Sequence, residues 1–159
     1  MPKPRRGVDS TNGSAAVSEL HVTAAERLGA VGQRFTTLRR TLVDLLADAR
    51  QPLSIPDILS SEPTLAQSSV YRNLAVLEEV GVVRRVVTTD DFARYELAED
   101  LTEHHHHLIC SACGVVEDFT ASPHVERSVA RAISEVSDLT GFTSEHHRLD
   151  LIGVCRACA

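Results

Sequence analysis

Histidine and cysteine residues are concentrated in one stretch of the chain. The run His104–His107 is followed, after two apolar residues, by Cys110-x-x-Cys113, and a second pair, Cys155-x-x-Cys158, lies at the end of the sequence. Two such pairs supply four soft thiolate ligands, which is the ligand set that structural Zn(II) prefers. We therefore expect these four cysteines to form a tetrahedral zinc site. That site would pin the last residues of the chain back onto the strand that ends at the first cysteine.

The histidine run offers further metal ligands on the two faces of one strand. If residues 105–110 form a β-strand, His105 and His107 point to one face, whereas His104 and His106 point to the other. Each pair can bind one metal ion but needs further ligands from elsewhere. Imidazole with carboxylate suits Zn(II), Fe(II), Mn(II) or Ni(II). The candidate partners before and after the strand are Glu96, Asp100, Glu103, Glu117, Asp118, His124, Glu126, His146 and His147.

Other interpretations of these residues are weaker. A redox dithiol is one alternative for each cysteine pair, but a redox Cys-x-x-Cys normally opens a helix, whereas Cys110 ends a predicted strand. A second alternative leaves the histidines solvated and without metal. A zinc hydrolase would need a spacing such as His-Glu-x-x-His, which the sequence lacks, and it also lacks a glycine-rich phosphate loop and a nucleophile elbow. The pattern favours metal sensing over catalysis, with no small organic substrate.

Composition and charge limit the class of protein. The chain has 159 residues and a net charge of −6. It contains no apolar run near the ~20 residues of a membrane helix. Cysteines paired in this way without secretory context favour metal thiolates in a reducing compartment, so we expect a cytoplasmic protein without a membrane partner. Residues 1–98 carry twelve basic and twelve acidic residues, whereas residues 99–159 carry four and ten. The acidic half suits metal ligation, and the neutral half can bind DNA if its arginines share a face.

Hydrophobic periodicity predicts a helical first half that ends in a hairpin. Four helices are expected to begin near Thr23, Thr36, Ser54 and Gln67, and the fourth ends at Gly81. The pattern then changes to period two, which predicts strands over 82–87 and 94–97 with a turn over 88–93. Helices followed by a two-stranded hairpin are typical of a winged helix-turn-helix, in which the fourth helix enters the major groove of DNA.

The second half predicts a small α/β unit. Strands are expected over 105–110, 115–119 and 147–154, with a helix over 122–140. A core of this size usually needs a metal or a partner subunit. The predicted fold is therefore α+β. Its domains are a disordered arm (1–19), a winged-helix DNA-binding domain (20–98), a hinge (99–103) and a metal-binding dimerisation domain (104–159).

Four motifs together resemble the ferric uptake regulator (Fur) family of metalloregulators, and the resemblance extends from about Thr23 to Cys158. The motifs are Gly32–Thr36 with the following Arg39, Ser69–Leu74 (similar to the recognition-helix signature T-V-Y-R-x-L), the histidine run leading into Cys110-x-x-Cys113, and the terminal Cys155-x-x-Cys158.

The resemblance implies an N-terminal winged helix and a small C-terminal α/β dimerisation domain with a structural zinc site. It implies a homodimer that binds a palindromic operator in double-stranded DNA when loaded with metal, most often to repress metal-homeostasis genes. Arginine can reach guanine or phosphate, and a tyrosine ring can contact a thymine methyl group. The residues that match the family's DNA-binding positions are Arg34, Arg39, Ser69, Tyr71 and Arg72.

The resemblance also implies two exchangeable metal sites. The regulatory hinge site would use His105, His107 and Glu96. In many family members a histidine completes this site, but the corresponding position here lies near Pro52. Zinc-sensing members use a cysteine in the hinge instead, and Asp100 lies near that position here. The other strand face implies a further site, with ligands His104, His106, Glu126 and His147. The regulatory ion is expected to be Zn(II) or Fe(II), with Mn(II) as a further candidate.

Two alternatives remain at this point. One is a peroxide sensor on the same fold, in which Fe(II)-driven oxidation of a ligand histidine releases the DNA. The other is a metal-binding protein without DNA function, against which stands the predicted recognition helix with Tyr71 and Arg72.

Overall fold

The structure is a computed structural model that describes residues 10–88 and 93–159, with side chains from residue 17 onward. Its helices are α1 (Ser10–Ala30), α2 (Thr37–Asp48), α3 (Ile55–Ser61), α4 (Gln67–Glu79) and α5 (Pro123–Thr140). Its strands are β1 (Leu53–Ser54), β2 (Val83–Val86), β3 (Arg94–Leu97), β4 (His106–Cys110), β5 (Val116–Phe119) and β6 (Asp150–Gly153). A 3-10 turn over Glu99–Leu101 connects β3 to the segment before β4.

The helix boundaries of the first half follow local capping chemistry. The Thr36 hydroxyl caps α2 by accepting a hydrogen bond from a backbone N–H. Ser54 and Asp57 form a reciprocal capping box at the start of α3, with Pro56 in its first turn. Gly81 has a φ of 69°, which lets the chain turn sharply after α4. The caps expected at Thr36 and Ser54 are confirmed.

The winged helix is built on one apolar core. Strands β2 and β3 form the antiparallel hairpin, and the short β1 pairs with the other edge of β3, so the sheet order is β1-β3-β2. Helices α2 and α4 pack against this sheet, and α1 packs against α2. The fully buried hydrophobic side chains of this core are Ala24, Leu28, Leu42, Val43, Ile58, Val70, Leu74, Leu77 and Val82. Because α4 buries one face, its opposite face is free for a ligand.

The N-terminal helix is longer than the sequence predicted. Residues 10–19, for which disorder was expected, belong to α1, whereas residues 1–9 lie outside the described residues. Leu20, Ala24 and Leu28 recur every four residues and are buried, which anchors the helix. Once a helix is anchored, each added residue gains a hydrogen bond without a new nucleation cost. Residues 89–92 of the predicted turn also lie outside the described residues.

The second half is a three-stranded sheet with one helix. Its order is β5-β4-β6, in which β4 pairs antiparallel with β5 and parallel with β6. The parallel pairing needs a crossover, which α5 provides. Within the described part of the chain, α5 has no buried residue. The expected α+β class, a winged helix with a small α/β domain, is confirmed. None of the described helices has the length and apolar character needed to cross a membrane.

Candidate metal centres and DNA-binding helix

The four cysteines meet at one end of the C-terminal sheet. Cys110 ends β4, and a tight turn brings Cys113 beside it; Cys155 and Cys158 form a similar turn just after β6. The four sulfur atoms lie within 4.8 Å of one another, and the Cys113 and Cys155 Sγ atoms are 3.8 Å apart. All four residues are free of disulfides. This arrangement can hold one tetrahedral zinc ion and ties β4 to β6.

The surroundings shift the pKa values of Cys110 and Cys158 in opposite directions. Backbone N–H groups of Cys155 and Cys113 lower the pKa of Cys110 to about 6. Hydrogen bonds to Cys113 and Cys155 raise the pKa of Cys158 to about 12, because neighbouring thiolates disfavour a further negative charge. Four thiolates so close together need a positive charge, and soft sulfur ligands suit Zn(II).

A second cluster, called the hinge cluster below, lies between β3 of the winged helix and the C-terminal sheet. Glu96 comes from β3 of the winged helix, His107 from β4 and Asp118 from β5, and His105 is the residue just before β4. The Glu96 Oε2 atom lies 3.0 Å from His107 Nε2 and 3.3 Å from His105 Nε2. The Asp118 Oδ1 atom is 3.8 Å from His107 Nε2. The ligand atoms of all four residues lie within 4.8 Å of one another, so they can share one divalent ion.

Charge pairing is strong within the hinge cluster. Burial would raise the pKa of Glu96, but hydrogen bonding to His107 and the charge of Arg84 hold it below its usual value. Burial would lower the pKa of His107, but Glu96 and Asp150 raise it. Arg84 donates to the Oε1 atom of Glu96, which leaves Oε2 facing the histidines. The cluster therefore already stabilises positive charge at the point where a metal ion would bind.

The ligand set at the hinge differs in part from the one that the sequence suggested. Asp100 does not join the cluster, because its carboxylate pairs with Arg27 of α1. A cleft of about 360 Å³ adjoins His105 and Asp118, and Gln51 lines it on the side of the winged helix. Asp118 was only one of several candidates in the sequence. The register shows why it belongs here, since Asp118 is directly opposite His107 across β4 and β5.

A third cluster occupies the other face of β4. Glu126, in the first turn of α5, accepts from His106 Nε2 at 2.8 Å. Its Oε2 atom lies 3.6 Å from His104 Nε2 and 3.8 Å from His147 Nε2. The His147 Nε2 atom is buried and has no hydrogen-bond partner among the described residues. A buried polar atom without a partner is costly, and coordination of a metal ion would satisfy it.

The outer face of α4 presents polar side chains away from the core. Tyr71 is 53% exposed, and Arg72 is exposed beside it. Ser69 is half-buried, and its carbonyl accepts from the Asn73 amide at 2.8 Å. Tyr71 and Arg72 can therefore reach base edges or phosphates if α4 lies in a major groove.

Arg39 has a different position from the one that the sequence suggested. It is only 8% exposed, and its guanidinium is used inside the protein. It donates to the Asn73 side chain at 3.0 Å, to the Arg34 carbonyl at 2.6 Å and to the Gln33 side chain at 2.9 Å. Arg39 therefore connects α2 to α4 and to the loop before α2, whereas Arg34 remains exposed and available to phosphate.

Comparison with known proteins identifies the family. A model of the ferric uptake regulator family matches residues 30–152. The peroxide operon regulator of Bacillus subtilis (strain 168) is 31% identical over 142 residues, which cover 86% of this chain and 91% of that protein. The structure of the Helicobacter pylori ferric uptake regulator Fur, described as having three functional metal binding sites, matches with a TM-score of 0.72 at 25% identity, covering 89% of this chain and 93% of that one.

A zinc-bound manganese uptake regulator matches with a TM-score of 0.60 at 30% identity, over 88% of this chain and 98% of that one. The family model spans both the winged helix and most of the metal-binding half. The chain therefore belongs to the ferric uptake regulator family, whose members are metal-dependent, DNA-binding regulators of transcription.

Proposed function

We propose that this protein is a homodimeric repressor of metal-homeostasis genes that binds a palindromic operator when its hinge cluster is loaded with Zn(II) or Fe(II), with Mn(II) as a further candidate. One observation carries this proposal. Glu96 belongs to the winged helix, whereas His105, His107 and Asp118 belong to the C-terminal half, yet their ligand atoms converge on one point.

Ligands from both sides of a hinge couple metal binding to domain orientation. A bound divalent ion supplies positive charge that holds these four side chains together. The orientation in which Glu96 meets the two histidines is then favoured over all others, which is a population shift. Two recognition helices held at the spacing of two half-sites bind an operator better than two freely rotating ones. The coupling equals the difference in metal affinity between the two orientations.

The surface of the C-terminal half supports a homodimer. Apolar residues lie at helical spacing along one side of α5, and two of them, Val125 and Val136, are 40% and 54% exposed. An apolar groove of about 380 Å³ lies between α5 and the segment that contains Phe142. A second copy of this half would cover these surfaces, and the small core needs such cover.

The DNA contacts in this proposal come from α4 and the loop before α2. Tyr71 and Arg72 are assigned to the major groove, with Ser69 beside them, and Arg34 to a phosphate. Exposed arginines on phosphates give an affinity that falls steeply with salt. The buried Arg39 is assigned a structural role and no DNA contact.

The cysteine cluster is assigned a structural Zn(II). It lies at the opposite end of β4 from the hinge histidines and connects the last residues of the chain to that strand. The third cluster, on the other face of β4, is assigned an additional exchangeable ion held by His104, His106, Glu126 and His147.

The experiment that tests this function removes the hinge ligands only. Operator sequences are first selected from a random DNA library with the Zn(II)-loaded or Mn(II)-loaded dimer. The His105→Ala/His107→Ala variant should then lose metal-dependent binding, a loss of about 5- to 150-fold for ordinary allosteric coupling, while circular dichroism and gel filtration show a folded dimer. His124→Ala, an exposed histidine outside all three clusters, is the matched control. Unchanged metal-dependent affinity in the double variant would contradict the proposal.

Peroxide sensing is a second candidate function, favoured by the similarity to the Bacillus subtilis peroxide operon regulator. The two histidines and two carboxylates of the hinge cluster suit Fe(II). In this reaction a C–H bond of a hinge imidazole becomes C–OH, and hydrogen peroxide, the oxidant, is reduced to water. Peptide mass spectrometry after peroxide treatment of the Fe(II)-loaded protein should show one added oxygen on His105 or His107, with loss of DNA binding. Unmodified histidines would leave metal sensing as the function.

A further inference from the structure

His107 contacts carboxylates through both of its ring nitrogens. Its Nε2 atom faces Glu96 at 3.0 Å, and its Nδ1 atom lies 3.2 Å from the Oδ1 atom of Asp150, on β6. The ring is only 2% exposed, so water does not compete freely for either nitrogen. We propose that Asp150 is a positioning residue, which accepts the Nδ1–H of His107 and so keeps its Nε2 lone pair directed into the hinge cluster.

The position of Asp150 follows from the parallel pairing of β4 and β6. His107 and Asp150 are direct partners in that register, and Cys110 and Gly153 are partners at the other end. Arg148 donates to the second oxygen of Asp150 at 2.7 Å. Because one oxygen is used by the arginine and the other by His107, the carboxylate is oriented toward the ring nitrogen that does not face the metal ligands.

The chemistry of a neutral imidazole makes this orientation decisive. One ring nitrogen carries the proton and the other carries the lone pair. Asp150 and Glu96 can both only accept, so without a metal ion each ring nitrogen of His107 faces an acceptor. When a metal ion takes the Nε2 side, Asp150 accepts the Nδ1–H and favours the tautomer whose lone pair lies on Nε2. The opposite tautomer would direct an N–H at the ion. Such outer carboxylates contribute about 10- to 100-fold to metal affinity in other sites.

His105 provides an internal comparison. Its Nδ1 atom lies 2.8 Å from the backbone carbonyl of Glu103, which can only accept, and its Nε2 atom faces Glu96 at 3.3 Å. The two hinge histidines thus have the same orientation through different acceptors, a main-chain carbonyl for His105 and a side-chain carboxylate for His107. A substitution at Asp150 should therefore change one histidine and leave the other unchanged.

Two measurements test the role of Asp150, which rests on the proposed hinge site. Long-range ¹H–¹⁵N correlation spectra of the Zn(II)-loaded dimer should show an Nδ1–H and a metal-bound Nε2 for both hinge histidines. Asp150→Ala should weaken the Nε2 coordination of His107 and leave His105 unchanged. It should also weaken Mn(II) binding at the hinge by about 10- to 100-fold, whereas Glu117→Gln, an exposed carboxylate outside the clusters, should not.

Several results would overturn the assignment. An Nε2–H, or coordination through Nδ1, on His107 of the unsubstituted Zn(II)-loaded protein would do so without any variant, so the test survives if Asp150→Ala fails to fold. Unchanged His107 coordination and Mn(II) affinity in a folded Asp150→Ala dimer would do the same. The coordinating nitrogen of His107 is read without DNA. A ring bound through the wrong nitrogen is therefore distinct from a failure of the proposed function, which is read from metal-dependent DNA binding.

Discussion

The Oε2 atom of Glu96 and the Nε2 atom of His107 lie 3.0 Å apart, although Glu96 belongs to the wing and His107 to the C-terminal sheet. The contact is buried, since the Glu96 side chain is 8% exposed and that of His107 is 2% exposed. Each group stabilises the charged form of the other. The pKa of Glu96 is therefore lowered, and the pKa of His107 is raised. Both residues belong to the group of four whose ligand atoms lie within 4.8 Å of one another, so this contact connects the wing to the C-terminal sheet.

Removing the carboxylate from the wing should uncouple the domains without removing the histidines. We expect Glu96→Gln to weaken metal binding at the hinge and to abolish the effect of metal on DNA affinity, because a neutral amide is a poor ligand for these ions. The metal-free DNA affinity should stay close to that of the unsubstituted protein. Isothermal titration of Mn(II) and fluorescence anisotropy with the selected operator measure both effects. Glu103→Gln, an exposed neighbour of the cluster, is the control, and equal losses in both variants would contradict this role of Glu96.

Substitutions of Arg39 and Arg34 should have different effects, the first on folding stability and the second on DNA binding. Arg39→Ala removes the donor to the half-buried Asn73 side chain and to the exposed Gln33 side chain, so the free energy of unfolding should fall by about 1–3 kcal/mol. Arg34→Ala removes an exposed charge, so stability should change by less than about 0.5 kcal/mol, while the slope of log affinity against log salt should fall by about one. Urea denaturation and salt-dependent anisotropy measure the two effects. The reverse pattern would place Arg39 at the DNA.

Breaking the thiolate cluster should unfold the C-terminal half. Cys113→Ser removes one of four soft ligands, and a structural zinc site contributes binding free energy of about 10–16 kcal/mol in small domains. We expect loss of tightly bound zinc in elemental analysis and loss of the cooperative melt of residues 104–159 by circular dichroism. Ser111→Ala, on an exposed residue of the same turn, serves as the comparison. An unchanged melt with zinc absent would contradict the structural role.

The ion pair between Arg27 and Asp100 should make a small contribution to folding stability that varies with pH. The hydrogen bond that Arg27 donates to Asp100 is the main reason that the pKa of Asp100 lies below its usual value. A carboxyl with a lowered pKa stabilises the fold above its unfolded pKa, and this contribution is lost as the pH falls through the folded value. Arg27→Ala should therefore reduce stability at neutral pH, by less than about 1 kcal/mol for so exposed a pair, and the difference should vanish in acid. A difference that persists below the folded pKa would point to packing by Arg27 instead.

Local rules predicted most of the elements, apart from β1 and the start of α1, and they predicted most members of the three clusters. The caps at Thr36 and Ser54 depend on a few neighbouring residues, and so does the alternation of His104–His107 across a strand. Contacts between segments that are distant in the sequence could not be predicted from these local rules. Asp118 is a ligand candidate because it lies opposite His107, and Asp100 lies outside the cluster and pairs with Arg27.

The same limit explains the arginines and the first helix. Arg39 and Arg40 are neighbours in sequence, but they lie on different faces of α2, so that Arg39 is buried and Arg40 is exposed. Only the packing of α2 against α4 shows that Arg39 is the arginine with a structural role. The extension of α1 back to Ser10 likewise depends on the anchoring of Leu20 and Leu28 in the core, which composition alone does not reveal.

The most direct test of the central claim measures the metal affinity of the hinge site with and without saturating operator DNA. Binding free energies are reciprocal, so DNA must raise the metal affinity by the factor by which metal raises the DNA affinity. We expect the same factor in both directions for the unsubstituted dimer, and a factor of one for Glu96→Gln. Metal affinity that is equal with and without DNA would contradict the coupling of the domains through Glu96, His105, His107 and Asp118.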